Sequence, residues 1–239
     1  MHTCYYLALA LFCGAVVGCT TLPSEFDAND QFIRDVSVID VESGLITDGQ
    51  TIVVRGSEIY GIYDSDEIDV PPTAITRATG GFAIPGLWDM HVHAMSDAEL
   101  ALDYNFPLFV ANGIVGIRDM GSVVDGVVET RSRIDQNDDR LAPQIYAAGP
   151  LLDGQALPWY GDLPLVLSSP EDANRELPKL RAAGIDFFKV YDGLSADTYQ
   201  AILAYGREHD VPVAGHVPKS VTYKTAAMSG QRTFEHLSP

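Results

Sequence analysis

The folded body of this 239-residue chain lacks cysteine, because its three cysteines are Cys4, Cys13 and Cys19. A body without thiols can form neither a disulfide nor a thiolate metal site. Any metal centre beyond residue 19 must therefore use histidine, a carboxylate or a modified side chain.

Basic residues are also scarce. Fifteen Lys and Arg stand against 33 Asp and Glu, so the formal net charge is −18. An acidic surface of this kind repels phosphate backbones and anionic lipid headgroups. Nucleic acid is therefore excluded as a partner, and so is membrane binding through a basic surface. The hydrophobic content of 46% is that of an ordinary globular protein.

Charged residues are absent from positions 1–18, where Tyr5 to Val17 forms a short apolar run. The run is too short for a membrane span and is typical of a signal peptide, predicted here at residues 1–18. It ends in Val16-Val17-Gly18-Cys19, which resembles a bacterial lipobox. We therefore expect export to the cell envelope or periplasm, with a lipid anchor on Cys19 as the contact with the membrane. Because no Lys or Arg precedes the run, a plain secretory signal is the alternative.

The apolar pattern divides the mature chain into three parts. Residues 19–30 are polar and predict a tether. Residues 31–80 contain short β-branched runs broken by Gly and Asp, which predict a small β domain. In residues 81–239, short apolar runs alternate with longer amphipathic segments, which predicts repeated βα units and a parallel sheet.

We predict six strands in this last part, at Phe82–Leu87, Gly113–Ile117, Gln144–Ala147, Phe187–Tyr191, Val211–Ala214 and Thr233–Glu235. The predicted helices include Asp97–Asn112, Glu171–Ala183, Ala196–Glu208 and Val221–Ser229. The expected fold is α/β: an incomplete TIM-like (β/α) barrel of about six of eight strands, with a small N-terminal β side domain. A barrel truncated after its sixth strand exposes two sheet edges, so we expect the 239-residue chain alone to be poorly soluble or inactive.

Four of the five histidines beyond the signal peptide stand at predicted strand ends. His91 and His93 follow the first strand, and residues two apart on a strand point to the same face. His216 follows the fifth strand and His236 ends the sixth, with Phe234 on the same face. Alone, a pair of core or loop histidines would be a serious alternative, but four on one rim together favour a metal site. His209 lies near a helix C-terminus and is given no catalytic role.

Lys189 lies in the middle of the predicted strand Phe187–Tyr191. Burial between apolar neighbours lowers the pKa of a lysine, and a neutral amine can react with carbon dioxide to form a carbamate. A carbamate is a carboxylate that can bridge two cations. The alternatives are a lysine that extends to the rim or one that pairs with an acid.

Five segments in chain order resemble the metal-dependent amidohydrolase superfamily, in its imidazolonepropionase-related and Xaa-Pro dipeptidase-like branch. They are Pro85-Gly86-Leu87-Trp88-Asp89-Met90-His91-Val92-His93, Gly116-Ile117-Arg118-Asp119-Met120-Gly121, Phe188-Lys189-Val190-Tyr191, Gly215-His216-Val217-Pro218 and Phe234-Glu235-His236-Leu237. The small β domain resembles the first half of the side domain of those enzymes.

The resemblance implies two divalent metal ions, usually zinc. His91 and His93 would bind one ion, His216 and His236 the other, and carbamylated Lys189 would bridge them. The implied reaction is hydrolysis of a C–N bond in an amide, dipeptide or cyclic amide by a metal-activated water. The family also places a catalytic aspartate after strand eight, which this sequence does not reach, and neither Asp89 nor Asp119 should be assigned to that role.

Other residues give weaker signals. Arg118 is predicted either to form a salt bridge with Asp119 or to contact a substrate carboxylate. Tyr191 is predicted either to contact substrate or to be a half-buried aromatic at a strand end. Trp159 and Tyr160 are expected in a loop near the mouth.

Two other functions stay open on the sequence. One is an inactive metal-binding scaffold that lacks the strand-eight aspartate, and the other is an enzyme acting on a phosphoester or lactone. The sequence does not determine the substrate, the metal or the oligomeric state, and a homo-oligomer stays open.

Overall fold

The computed structural model describes residues 26–70, 75–78, 80–136 and 140–237. The predicted signal peptide, Cys19 and most of the predicted tether lie outside these residues. The chain divides into two compact units, one up to Pro85 and the other from Gly86 onward.

The first unit is a five-stranded sheet. Its strands are β1 (Gln31–Ile39), β2 (Ile46–Arg55), β3 (Glu58–Asp64), β4 (Ile75–Arg77) and β5 (Phe82–Ala83). The order is β3-β2-β1-β4, and β5 also pairs with β1. Strands β1 to β3 are antiparallel, whereas β4 and β5 run parallel to β1. The unit has its own small core of Phe26, Phe32, Val53 and Val70.

The last residues of the predicted tether pack on this sheet. The ring of Phe26 lies edge-on to that of Phe32, with the centroids 5.5 Å apart. Asp30 is almost fully buried and its carboxylate accepts a hydrogen bond from the Arg55 guanidinium at 2.7 Å. Residues 26–30 are therefore part of the β unit.

The second unit alternates strands and helices. Its strands are β6 (Leu87–Val92), β7 (Ile114–Asp119), β8 (Gln144–Ala147), β9 (Leu151–Asp153), β10 (Pro164–Val166), β11 (Phe188–Val190), β12 (Val213–Gly215) and β13 (Thr233–Phe234). Its helices are α1 (Ala98–Leu100), α2 (Phe106–Ala111), α3 (Val124–Asp135), α4 (Pro170–Ala182), α5 (Ala196–Glu208) and α6 (Tyr223–Met228), with a π-helical segment at Ala101–Asn105 and a 3₁₀ turn at Pro158–Tyr160.

The strands of this unit pair in parallel and nearly in chain order. One group of paired strands has the order β6-β7-β8, and the other has the order β10-β9-β11-β12-β13. Backbone bonds join the two groups, from Asp186 N to Ala147 O and from Ala148 N to Asp119 O. Strands β8 and β9 thus act as one sheet position interrupted at Gly149, which has φ +64°. The predicted parallel α/β sheet is confirmed, while the incomplete barrel stays a prediction.

The first predicted strand of this unit, Phe82–Leu87, is wrong. Phe82 and Ala83 pair with β1 of the first unit, and the first parallel strand is Leu87–Val92. Pro85 lacks a backbone N–H, so the segment cannot continue one ladder across that position. His91 therefore lies within a strand, and His93 follows it.

The helices cover the outer face of the parallel sheet. Ser169 begins α4 and Ser195 begins α5, and each side chain accepts a bond from the backbone N–H three residues on. Leu177 on α4 and Ile202 on α5 share a buried cluster with Phe188 of the sheet. Burial of each such side chain contributes about 1.5–3 kcal/mol.

Candidate metal centre

The five predicted ligands line one cavity of about 330 Å³. Its walls are formed by His91, His93, Lys189, His216 and His236, together with Leu151, Tyr160, Leu163 and Tyr191. Each predicted ligand lies in or just after a strand of the parallel sheet. The carboxyl ends of parallel strands meet at one edge, and this is where such folds place their chemistry.

Ring distances show that the first and sixth strand positions approach each other. The ring centroids of His91 and His236 lie 4.6 Å apart. Those of His91 and His93 are 5.4 Å apart, and those of His216 and His236 are 5.2 Å apart. The sheet therefore curves enough to bring side chains from β6 and from the end of β13 into contact.

Three of the imidazoles are held through Nδ1. That atom lies 2.8 Å from Glu235 Oε2 in His91, 2.8 Å from Gly121 O in His93 and 2.7 Å from Asp192 Oδ1 in His216. An oxygen acceptor at Nδ1 favours a protonated Nδ1, which leaves Nε2 with a free lone pair, as metal-binding histidines require.

Burial also favours neutral rings. It is the main cause that lowers the pKa of both His91 and His216 below the usual value. Their carboxylate partners oppose this shift without reversing it. Both imidazoles are therefore available as neutral donors at neutral pH.

Lys189 is enclosed in the sheet, with a relative exposure of 1%. Gly215 on the neighbouring strand makes room for it, because a Cβ there would lie 2.9 Å from Lys189 Cδ. Burial lowers the pKa of Lys189 to about 8. Among the described residues, none forms a hydrogen bond or an ion pair with its amine, and the side chain lines the cavity.

The sequence predicted His236 and Phe234 on the same face, and this prediction is wrong. Strand β13 ends at Phe234, whose ring lies 5.9 Å from that of Tyr223 on α6. His236 follows in a left-handed conformation with φ 62°. That conformation is uncommon for a residue other than glycine, and it turns the imidazole to the cavity side of the sheet.

The four histidine donors come from two regions of the sheet. Among the described residues, no group of three or more His, Cys, Asp or Glu side chains is arranged to hold one ion. The histidines contribute two nitrogens from the first sheet position and two from the fifth and sixth. With two histidine nitrogens for each ion, a two-ion centre would gain a shared ligand from Lys189.

Arg118 and Asp119 do not pair with each other, which corrects that prediction. The Arg118 guanidinium donates to Glu235 Oε1 at 2.7 Å and does not line the cavity. Asp119 is fully buried and its carboxylate accepts from Ala94 N at 2.7 Å and from Gly121 N at 3.2 Å. The sheet places consecutive side chains on opposite faces, so these two neighbours separate.

Of the two residues predicted near the mouth, Tyr160 lies at the cavity and Trp159 does not, while Tyr191 also lines it. The hydroxyl oxygens of Tyr160 and Tyr191 are 3.3 Å apart, and both rings line the cavity. The Tyr191 ring also stacks on His216, with the centroids 4.2 Å apart. Trp159 is 75% exposed and is absent from the lining.

Sequence reasoning missed the oxygen acceptors that hold the imidazoles. Glu235 stands directly before His236, and Asp192 stands directly after Tyr191. The available signal was an acidic residue beside a predicted site residue at a strand end.

The fold of the chain is similar to part of the fold of solved prolidase and dipeptidase structures. No protein-family model matches it, and no curated protein matches it. In the part of the chain that the structure describes, no helix combines the length and apolar character needed to cross a bilayer.

Three solved structures illustrate the similarity. A Bifidobacterium longum protein assigned as a prolidase gives a TM-score of 0.74 at 25% identity, over 87% of this chain and 54% of that one. A Xaa-Pro dipeptidase with methionine in its active site gives 0.75 at 20% identity, over 87% and 61%. The A. niger ochratoxinase gives 0.65 at 16% identity, over 87% and 60%. The chain thus spans less than two thirds of the length of each.

Proposed function

We propose that this protein is a binuclear metal hydrolase that cleaves a C–N bond in an amide, dipeptide or cyclic amide. His91 and His93 would hold one divalent ion, His216 and His236 the other, and a carbamate on Lys189 would bridge them. Zinc is the proposed occupant. The single observation that carries the proposal is the meeting of four imidazoles and one buried lysine in one cavity.

The carbamate requires carbon dioxide as co-reactant. The neutral amine of Lys189 forms an N–C bond to the carbon of carbon dioxide, and the nitrogen releases one proton to solvent. The product carries one negative charge on two oxygens. Burial supports this step because it disfavours the ammonium form of the side chain.

When bound, the ions would lower the pKa of a water toward neutrality and polarise the substrate carbonyl. The chain's own residues fix the geometry. Glu235, the Gly121 carbonyl and Asp192 hold Nδ1 of three imidazoles, so that each ring keeps its Nε2 available. Preorganised ligands reduce the cost of assembling the site.

We assign no general base to the acidic residues near the first ligands. Asp89 Oδ1 accepts a bond from His91 N at 3.1 Å, so it supports the backbone of the strand. The Asp119 carboxylate accepts hydrogen bonds from two backbone N–H groups. A general base needs a free lone pair at the reacting water, and neither carboxylate is placed for that.

The described wall of the cavity favours a substrate with an apolar group beside the scissile bond. Leu151 and Leu163 supply aliphatic surface, while Tyr160 and Tyr191 supply aromatic surface and hydroxyl groups. Structures of similar fold are named prolidase, dipeptidase and ochratoxinase. An apolar dipeptide or N-acyl amino acid is therefore the proposed substrate class.

The test uses protein produced from the complete gene. A panel of apolar and charged dipeptides and N-acyl amino acids is incubated with enzyme before and after removal of metal by a chelator. We expect hydrolysis of apolar members, loss on chelation and recovery with zinc. Hydrolysis that persists in His93→Ala and in chelated protein would contradict a metal mechanism, and two bound ions without hydrolysis would favour the scaffold alternative.

A further inference from the structure

Glu235 joins three sheet positions in the interior of the second unit. Its Oε2 accepts from His91 Nδ1 at 2.8 Å. Its Oε1 accepts from Arg118 Nη2 at 2.7 Å and from Thr233 Oγ1 at 2.8 Å. The side chain is 9% exposed, so little water competes for these contacts.

Arg118 holds the other side of this network. Its Nε donates to the Met90 carbonyl at 2.7 Å, directly before His91 in the chain. Its Nη1 donates to Thr233 Oγ1 at 3.2 Å. One guanidinium thus fixes both the strand that carries His91 and the carboxylate that binds the His91 ring. A planar guanidinium can donate to several separate acceptors in this fixed arrangement, whereas a lysine ammonium cannot.

We propose that Glu235 is a positioning residue that fixes the tautomer and the ring orientation of His91, and that Arg118 acts through Glu235. This inference rests on the proposed metal centre. The carboxylate can only accept at Oε2, so His91 must place its proton on Nδ1 and present Nε2 to the cavity. A neutral amide at this position could donate or accept, and the ring would no longer be held in one tautomer.

Charge explains why a carboxylate serves here. Arg118 and Glu235 form a close ion pair, at 11% and 9% side-chain exposure. Loss of either partner leaves the other charge largely unpaired inside the sheet. Arg118 is thereby occupied, which accounts for its absence from the cavity lining and removes it as a candidate for binding a substrate carboxylate.

The first measurement needs no variant. The protein is labelled with ¹⁵N-histidine and freed of metal, and long-range proton–nitrogen correlation spectra report which ring nitrogen of His91 carries the proton. We expect the Nδ1–H form to dominate in the wild type. A dominant Nε2–H form would overturn the inference, whether or not the site binds metal.

The second measurement compares Glu235→Gln with Glu176→Gln. Glu176 is a matched control because it also pairs with an arginine, Arg175, at 2.8 Å, but it lies on α4 away from the cavity. Competition with a chromogenic chelator gives the affinity for zinc. We expect roughly 10–100-fold weaker binding of one of two ions in Glu235→Gln, with a mixed His91 tautomer, and no change in the control.

The outcomes separate this inference from the proposed function. Wild-type protein that binds no divalent ion would contradict the proposed function. Wild-type protein that binds two ions, with Glu235→Gln equal to it in affinity and in tautomer, would overturn the role of Glu235 alone. If Glu235→Gln does not fold, the wild-type tautomer still decides.

Discussion

Removal of the Asp119 carboxylate is expected to destabilise the turn that carries His93. Its two oxygens accept from Ala94 N and Gly121 N, and both contacts are buried. Gly121 in turn provides the carbonyl that binds His93 Nδ1. The same carboxylate thus supports the backbone after His93 and the segment that orients its ring.

The magnitude follows from the two N–H groups. Each buried donor left without an acceptor costs about 1–3 kcal/mol, so Asp119→Ala should lower the free energy of unfolding by about 4 kcal/mol. For a chain of this size the melting temperature should fall by roughly 10 °C. Asp119→Asn should lose about half as much, because an amide oxygen can still accept.

Thermal and urea unfolding of metal-free protein measure the effect. Asp125→Ala is the matched control, because Asp125 is exposed in the first turn of α3 and its removal should cost about 0.3–1 kcal/mol. A loss of less than about 1 kcal/mol in Asp119→Ala would refute the assigned role of its two contacts.

Three further predictions concern other parts of the chain. The hydrogen bond from Arg55 lowers the pKa of Asp30. The stability that this carboxylate contributes is therefore present above the usual aspartate pKa and is lost as the pH falls below it. In urea unfolding, the difference in stability between wild type and Asp30→Asn should shrink between pH 7 and pH 3, and a constant difference would contradict this. The Tyr199 hydroxyl donates to Gln231 Oε1 at 2.6 Å in the core; Tyr199→Phe should lose about 1–2 kcal/mol by thermal unfolding, and an unchanged melting temperature would show that the bond contributes nothing. Cys19→Ser should move the protein from the membrane to the soluble fraction of cells, and an unchanged distribution would exclude the lipid anchor.

Local signals in the sequence predicted elements that depend on local chemistry. Helix α5 was predicted at its observed bounds from its amphipathic pattern, and in the structure Ser195 caps its start. Strand β8 was also predicted at its observed bounds. The meeting of the predicted ligands at one cavity follows from parallel strands, whose carboxyl ends share an edge.

Long-range pairings could not be read from the sequence. Arg118 and Glu235 are 117 residues apart, and nothing near either residue identifies the other. Phe82 and Ala83 satisfy a strand pattern in either unit, and only the pairing with β1 decides between them. The left-handed turn at His236 also lacks a local signal, because glycine is the usual residue there.

In the proposed centre, Lys189 supplies a ligand to both ions. The most direct measurement is the number of divalent ions per chain in Lys189→Ala, counted by elemental analysis beside wild type and the surface control Lys179→Ala. We expect two ions in wild type and in the control, and fewer than two in Lys189→Ala. Two ions retained in Lys189→Ala would contradict the bridging role of Lys189.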